Sequence, residues 1–143
     1  MRTLSLLSVM FAVSAGALRL PPAGVARTRR ADVRMQQAGD VNARLDSLVA
    51  DNKVLLFMKG NKLFPQCGFS NTAVMILKSI TEDFETFDVL ADPEVREGIK
   101  TYSNWPTIPQ CYIDGEFIGG CDLLIEMYQN GELQEMVEKS VAS

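Results

Sequence analysis

The feature that most limits the fold of this chain is VLLFM, Val54 to Met58, five apolar residues with no polar one between them. A strand with one wet face alternates apolar and polar side chains, so an unbroken run this short suits a sheet covered on both faces and marks a central strand. Upstream, Val41, Leu45, Leu48 and Val49 recur at helical spacing, with Asp40 as the expected N-cap and Asn52 as the expected end. Downstream, after a loop from Gly60 to Gln66, a second helix is expected from about Cys67 to Ile80, burying Ala73, Val74, Leu77 and Ile80. Phe84 to Leu90 reads as a strand. Asp92-Pro93 is an N-cap followed by proline at the first helical position, opening a helix that buries Val95, Ile99 and Tyr102. Pro109 to Ile113 and Glu116 to Ile118 flank Asp114-Gly115, the signature of a hairpin. Gly119 and Gly120 then lead to Asp122, expected to cap a last helical region that pauses at Asn130-Gly131 and ends near Val141.

The resulting order, helix, β, α, β, α, β, β, α, matches an α/β thioredoxin-like fold, a four-stranded mixed sheet flanked by helices. On order alone a ferredoxin-like arrangement stays open.

Charge and composition narrow the chemistry. Residues 1–30 carry five Arg and no acid, whereas residues 36–143 carry 8 basic and 17 acidic side chains, a balance of −9. Such a body has no field to hold phosphates, which argues against nucleic-acid binding. The first 18 residues, MRTLSLLSVMFAVSAGAL, have the basic start, apolar run and small-x-small end of a signal peptide, and the Arg-rich RLPPAGVARTRRADVRM that follows has the composition of an organelle transit segment. The two in series suggest a plastid reached through the secretory route; a single mitochondrial or plastid presequence is the alternative. Residues 1–35 are therefore set apart as a targeting leader and 36–143 as one domain. That domain has no long apolar span or basic amphipathic helix, so no membrane association is expected of it.

The 143 residues contain no His and three irregularly spaced Cys: Cys67, Cys111 and Cys121. This excludes a Cys-His catalytic dyad and every Cys/His metal site, and makes a disulfide framework or zinc knuckle a poor reading. In FPQCGFS, Phe64 to Ser70, the position that would complete Cys-x-x-Cys is Ser70, so Cys67 has no local partner for a disulfide. At the tip of the second helix its sulfur would face unpaired amides and the positive end of the helix dipole. Lowering a cysteine pKa from about 8.5 to about 7 needs about 2 kcal/mol, of which a helix terminus gives about 0.3 to 1 kcal/mol. Lys59, with the amides of Gly68 and Phe69, is the expected source of the rest. The plainer alternative is a small buried helix cysteine beside a solvated lysine, but such a residue needs neither the proline before it nor the glycine after it.

WPTIPQCYIDGEFIGGCD, Trp105 to Asp122, is the second constellation. Thr107-Ile108-Pro109 suggests a cis proline that turns a peptide edge outward beside the thiol, where an extended peptide can pair with it. Gly119-Gly120 before Asp122 would make a helix N-terminus for a carboxylate, with Asp122 taking an ammonium. Lys59, Arg96 and Lys100 are candidates for a second carboxylate. A zwitterionic peptide with two carboxylates and one amine, such as glutathione, fits both ends. Taken singly, Trp105 and Pro106 also read as core and turn, and Arg96 and Lys100 as a solvated helix face.

The motifs MKG, FPQCGFS, SNWPTIPQ and GEFIGGCD resemble those of the monothiol glutaredoxins of the CGFS type, over essentially the whole body from Asp40 onward. The ending GELQEMVEKS is most similar to single-domain plastid members. The resemblance implies a glutathione site at Lys59, Arg96, Ile108, Cys121 and Asp122, with Thr107 and Pro109 offering the backbone edge. It also implies that Cys67 ligates a 2Fe-2S cluster shared by a homodimer and completed by the thiols of two glutathiones. The function it implies is delivery of clusters to apo iron-sulfur proteins. Glutathione-dependent thiol-disulfide exchange at Cys67 is the alternative, with Cys121 as a remote resolving thiol; an iron-sensing module with a BolA-like partner is a third reading. Cys111 stands where the family usually has an aliphatic residue and is read as packing.

Overall fold

The computed structural model describes residues 39–143; the leader over 1–35, and the first residues of the domain drawn at 36–143, lie outside the described residues. Helix α1 covers 39–51, followed by β1 (Val54–Met58), α2 (Gly68–Ile80), β2 (Glu85–Asp88), α3 (Pro93–Tyr102), β3 (Gln110–Ile113), β4 (Glu116–Gly119), α4 (Cys121–Asn130) and α5 (Glu132–Ala142). The strands lie in the order β2-β1-β3-β4, with β1 parallel to β2 and antiparallel to β3, and β3 antiparallel to β4. This is the mixed four-stranded sheet of a thioredoxin-like fold.

The continuous apolar run explains the layering. Alternate residues of a strand point to opposite faces. Val54, Leu56 and Met58 pack with Ala73, Val74 and Leu77 of α2, Leu124 of α4 and Leu133 and Val137 of α5. Leu55 and Phe57 pack on the other face with Val41, Leu45 and Val49 of α1 and Val95 and Ile99 of α3. All five strand residues are at most 2% exposed. The contact between α1 and α3 is close enough that a Cβ on Gly98 would run into Val41.

Several local expectations shift. Asp40 is not the N-cap of α1, since the helix already includes residue 39; Asn52 does end it, its Nδ2 donating to Leu48 O at 2.7 Å. Asp92 caps α3, accepting from the amides of Glu94 and Val95 at 3.1 Å each and pairing with Arg44 at 2.7 Å. Tyr102 is not buried by α3: it is 37% exposed because its hydroxyl reaches out to donate to Asp46 Oδ1 at 2.6 Å. The second strand is shorter than Phe84 to Leu90, since the Asp88 carboxylate takes the amides of Gly60 and Leu90 at 2.9 Å each and turns the chain. Asp114 and Gly115 form the β3–β4 turn, both with positive φ, 49° and 85°. The turn is tied to the C-terminal helix by Ser140 Oγ, which donates to Asp114 Oδ1 at 2.7 Å.

Candidate functional site

The thiol of Cys67 stands at the N-cap of α2, in extended backbone (φ −149°, ψ 142°), and is half-buried. An N-cap side chain points at the amides of the second and third helical residues, here Phe69 and Ser70. No capping hydrogen bond to the sulfur forms. The two amides nevertheless hold the thiol below its ordinary pKa, Ser70 most and Phe69 next. Partial desolvation opposes them; the positive charge of Lys59 and the Ser70 hydroxyl add smaller lowering effects. This corrects the expectation that Lys59 supplies the main assistance and that the Gly68 amide takes part. Short-range dipoles aimed at the sulfur outweigh a lysine whose charge is screened by water.

Ser70 is more than a missing cysteine. It is fully buried, and its Oγ accepts from the Lys59 amide at 3.2 Å, joining the end of β1 to the first turn of α2. The Lys59 carbonyl accepts from Gln66 N at 2.9 Å and the Gly60 amide donates to Asp88. The backbone of Lys59 and Gly60 is thus held by three hydrogen bonds, which fix where the Lys59 side chain begins.

Beside the thiol lies a groove of about 150 Å³ lined by Phe69, Trp105, Thr107, Ile108, Pro109, Gly120, Cys121 and Asp122. Five of the residues expected from the sequence are therefore brought together: Thr107, Ile108, Pro109, Cys121 and Asp122. The Ile108–Pro109 bond is cis. Lys59 joins the site through Cys67 rather than through the groove wall. Arg96, on α3, does not line the groove; its Nε is buried without a hydrogen-bond partner. Lys100 is engaged elsewhere, with Glu97 at 2.9 Å. Asp122 does not cap α4. The N-cap is Gly120, in extended backbone, and Asp122 lies in the first turn with its carboxylate left for other use.

Cys121 is buried in the groove wall, and its thiol is pushed above the ordinary value by burial first, then by the charges of Asp122 and Cys67. Cys111 is fully enclosed in the core and pushed up to about 12 by burial alone, which agrees with a packing role. Of the three thiols, only Cys67 is shifted toward the reactive, ligating form.

Two residues matter more than their sequence context signalled. Trp105 forms a wall of the groove, packed on Phe117 at 5.8 Å between ring centres and against Gly120, where an added Cβ would come within 3.0 Å of its Nε1. Gln110, fully buried, donates through Nε2 to the carbonyls of Trp105 at 2.9 Å and Thr107 at 3.1 Å, bracing the loop that carries the cis proline. The signal was present in WPTIPQ, a polar residue opening a strand otherwise apolar.

Comparison with known proteins agrees with this geometry. The glutaredoxin family model matches residues 54–118. A monothiol glutaredoxin ycf64-like protein of Synechocystis is 64% identical over 104 residues, 73% of this chain and 97% of that one. The chloroplastic monothiol glutaredoxin-S7 of rice is 58% identical over 74% of this chain and 63% of its own length, so the match spans less than two-thirds of that protein. The solution structure of reduced poplar apo GrxS14 superposes with a TM-score of 0.64 at 56% identity, covering 72% of this chain and 94% of that one. A buckwheat glutaredoxin–glutathione complex shares the fold at 21% identity, with a TM-score of 0.67 over 75% of this chain and 96% of its own. A single thiol at a helix tip, a serine in place of its partner and relatives of this similarity lead to one conclusion: the chain belongs to the monothiol glutaredoxins.

Proposed function

We propose that this protein carries a 2Fe-2S cluster between two copies of itself and delivers it to apoproteins, with glutathione completing the ligand set. The observation that carries this reading is the solitary character of Cys67. It is the one thiol of the three with a lowered pKa, and among the described residues no group of three Cys, His, Asp or Glu could hold a metal ion. Two irons bridged by sulfide need four outer ligands, so one thiolate from each of two chains leaves two positions for thiols from outside. The groove is a reasonable berth for their source. In it, Asp122 would take the ammonium of glutathione and the amides at the start of α4 one carboxylate, while Thr107, Ile108 and Pro109 would offer the backbone edge; Lys59 and Arg96, outside the groove wall, would take the other carboxylate.

Ligands that can diffuse away make the cluster a cargo rather than a fixture. Residues 36–143 would be the working domain and 1–35 the address, to a plastid in keeping with the chloroplastic relatives. Reconstitution with iron, sulfide and glutathione should give a brown protein of twice the monomer mass that reverts to a colourless monomer when the cluster is removed. A preparation that stays colourless and monomeric defeats the reading.

The same lowered pKa supports a second reading as an oxidoreductase. Cys67 thiolate would attack the glutathione sulfur of a protein–glutathione disulfide and expel the protein thiolate. A second glutathione thiolate would then attack the Cys67–glutathione disulfide, releasing oxidised glutathione and restoring Cys67. Brisk turnover by protein that never holds a cluster would favour it.

A further inference from the structure

The loop between β1 and α2 is tightly built, yet it presents two large apolar side chains to solvent. Asn61 Oδ1 accepts from the amides of Leu63 and Phe64, both at 2.9 Å, and the Asn61 amide donates to Phe64 O at 3.3 Å. The Lys62 ammonium donates to the carbonyls of Glu82 and Phe84, each at 2.8 Å, and lies 4.0 Å from the centre of the Phe84 ring. Lys78 Nζ, from α2, donates to Lys62 O at 3.2 Å. Gly60, at φ +85°, turns the chain so sharply that a Cβ there would run into Phe64 O. The outcome is a braced tip with Leu63 75% and Phe64 69% exposed. A loop held this way has already lost the freedom that a docking surface otherwise loses on binding. An outward Leu-Phe pair is an apolar anchor of the kind that fills a pocket on a partner.

Charge indicates the partner. Residues 36–143 balance at −9, yet the cations are not evenly distributed. Arg44, Lys53 and Lys100 pair with Asp92, Asp114 and Glu97; of the five cations with no acidic partner among the described residues, Arg96 and Lys139 lie on α3 and α5, and the other three are Lys59, Lys62 and Lys78. All three belong to this loop, adjoin it or touch it. Two copies docked tip to tip about a two-fold axis, with no anionic cluster and glutathiones between them, would set these lysines against the same lysines, which like charge disfavours. An acidic surface meets both the lysines and the need for a pocket.

We propose that the Leu63-Phe64 tip, backed by Lys62 and Lys78, docks an acidic protein partner beside the thiol. The inference rests on the cluster-delivery reading in one respect, that it takes the partner to be an acidic apo iron-sulfur acceptor. The test titrates the full chain, free of cluster, into a fluorescently labelled plant-type apo-ferredoxin, an acidic acceptor with four cysteines, at low and physiological ionic strength. Saturable binding is expected at low salt, with affinity falling as salt screens the lysines. It should fall about tenfold in the Leu63→Ser/Phe64→Ser double variant and in Lys78→Glu, a change of about 1.4 kcal/mol each. Lys139→Glu, on α5 near the opposite end of β1, should bind as the parent does. Unchanged melting temperatures would show that the variants fold. Absence of binding, or changes under about twofold in both tip variants, overturns the proposal. So does a finding that the tip variants instead abolish self-association, which makes the occupant a second copy. A chain that turns brown on reconstitution but shows no tip-dependent binding defeats this inference alone, and a colourless chain with tip-dependent binding defeats the cluster reading alone.

Discussion

The tip of α2 and the middle of β3 each carry one cysteine, and their surroundings treat the two sulfurs in opposite ways. Cys67 faces two backbone amides whose donors the helix leaves unpaired, so its charged form is favoured. Cys111 lies opposite Leu56 and Gly119 in the sheet, inside a cluster with Leu56, Met58 and Leu124, and has nothing to stabilise charge. The same side chain is held toward its charged form at one place and is a packing group at the other. A place beside the groove alone does not make the difference: Cys121 stands in the groove wall and is still raised, by burial first and then by the charges of Asp122 and Cys67. Reactivity follows from which dipoles the backbone leaves unpaired.

The largest expected contrast comes from removing each sulfur in turn. Cys67→Ser should abolish cluster colour and rapid alkylation together. Cys111→Ala should leave both intact, with thermal melting recording a loss of about 1 kcal/mol for the small cavity. If Cys111→Ala also bleaches the protein, the division between the two regions fails.

Gly60→Ala comes next. A side chain at positive φ, pressed on the Phe64 carbonyl and the Gln66 amide, should cost about 2 to 4 kcal/mol in denaturant unfolding and displace Lys59 from the thiol. Gly115→Ala, also at positive φ but with open space around it, should cost only about 1 kcal/mol. Equal losses would mean that the close approach at Gly60 carries no weight.

Gly120→Ala sharpens the comparison on the ligand side. Its Cβ would stand 3.0 Å from Trp105 Nε1 and 3.5 Å from Pro109 O, narrowing the groove without touching the core. Calorimetry should record glutathione affinity lower by about tenfold, or about 1.4 kcal/mol, with melting little changed.

The last effect is one of pH, confined to strongly alkaline solution. Cys111 ionises near its ordinary value of 9.0 in the unfolded chain but only at about 12 in the fold. Between those values the unfolded chain binds fewer protons, so stability falls as pH rises. Urea unfolding across that window should show a slope shallower in Cys111→Ala than in the parent; identical slopes would place Cys111 outside the packed core.

The sequence disclosed most where a residue type has few uses. An unbroken VLLFM run required a covered central strand, Asp-Gly a hairpin, and Asp92-Pro93 a helix start, and each stands where periodicity and turn chemistry put it. Asp40 and Asp122 misled because a carboxylate near a helix start can cap it or lie within its first turn, and composition does not separate the two. The thiol's neighbours were named in outline, yet their ranking was inverted. A lysine in a motif is conspicuous, whereas the Ser70 amide is conspicuous only once the backbone directions at an N-cap are known. The roles of Gln110 and Trp105 left a weaker signal, a polar residue opening an apolar strand and a tryptophan that also reads as core, since bracing a loop leaves no periodic trace.

The central claim is that the helix tip lowers the pKa of Cys67 while burial raises those of the other two sulfurs. Its most direct test is the rate at which iodoacetamide alkylates each cysteine of the intact chain as a function of pH, resolved by peptide mass spectrometry. Cys67 should react first, with a midpoint below the ordinary 9.0, Cys121 should follow with a midpoint above it, and Cys111 should stay unmodified until the protein unfolds. A Cys67 midpoint at or above that of Cys121 would contradict the account.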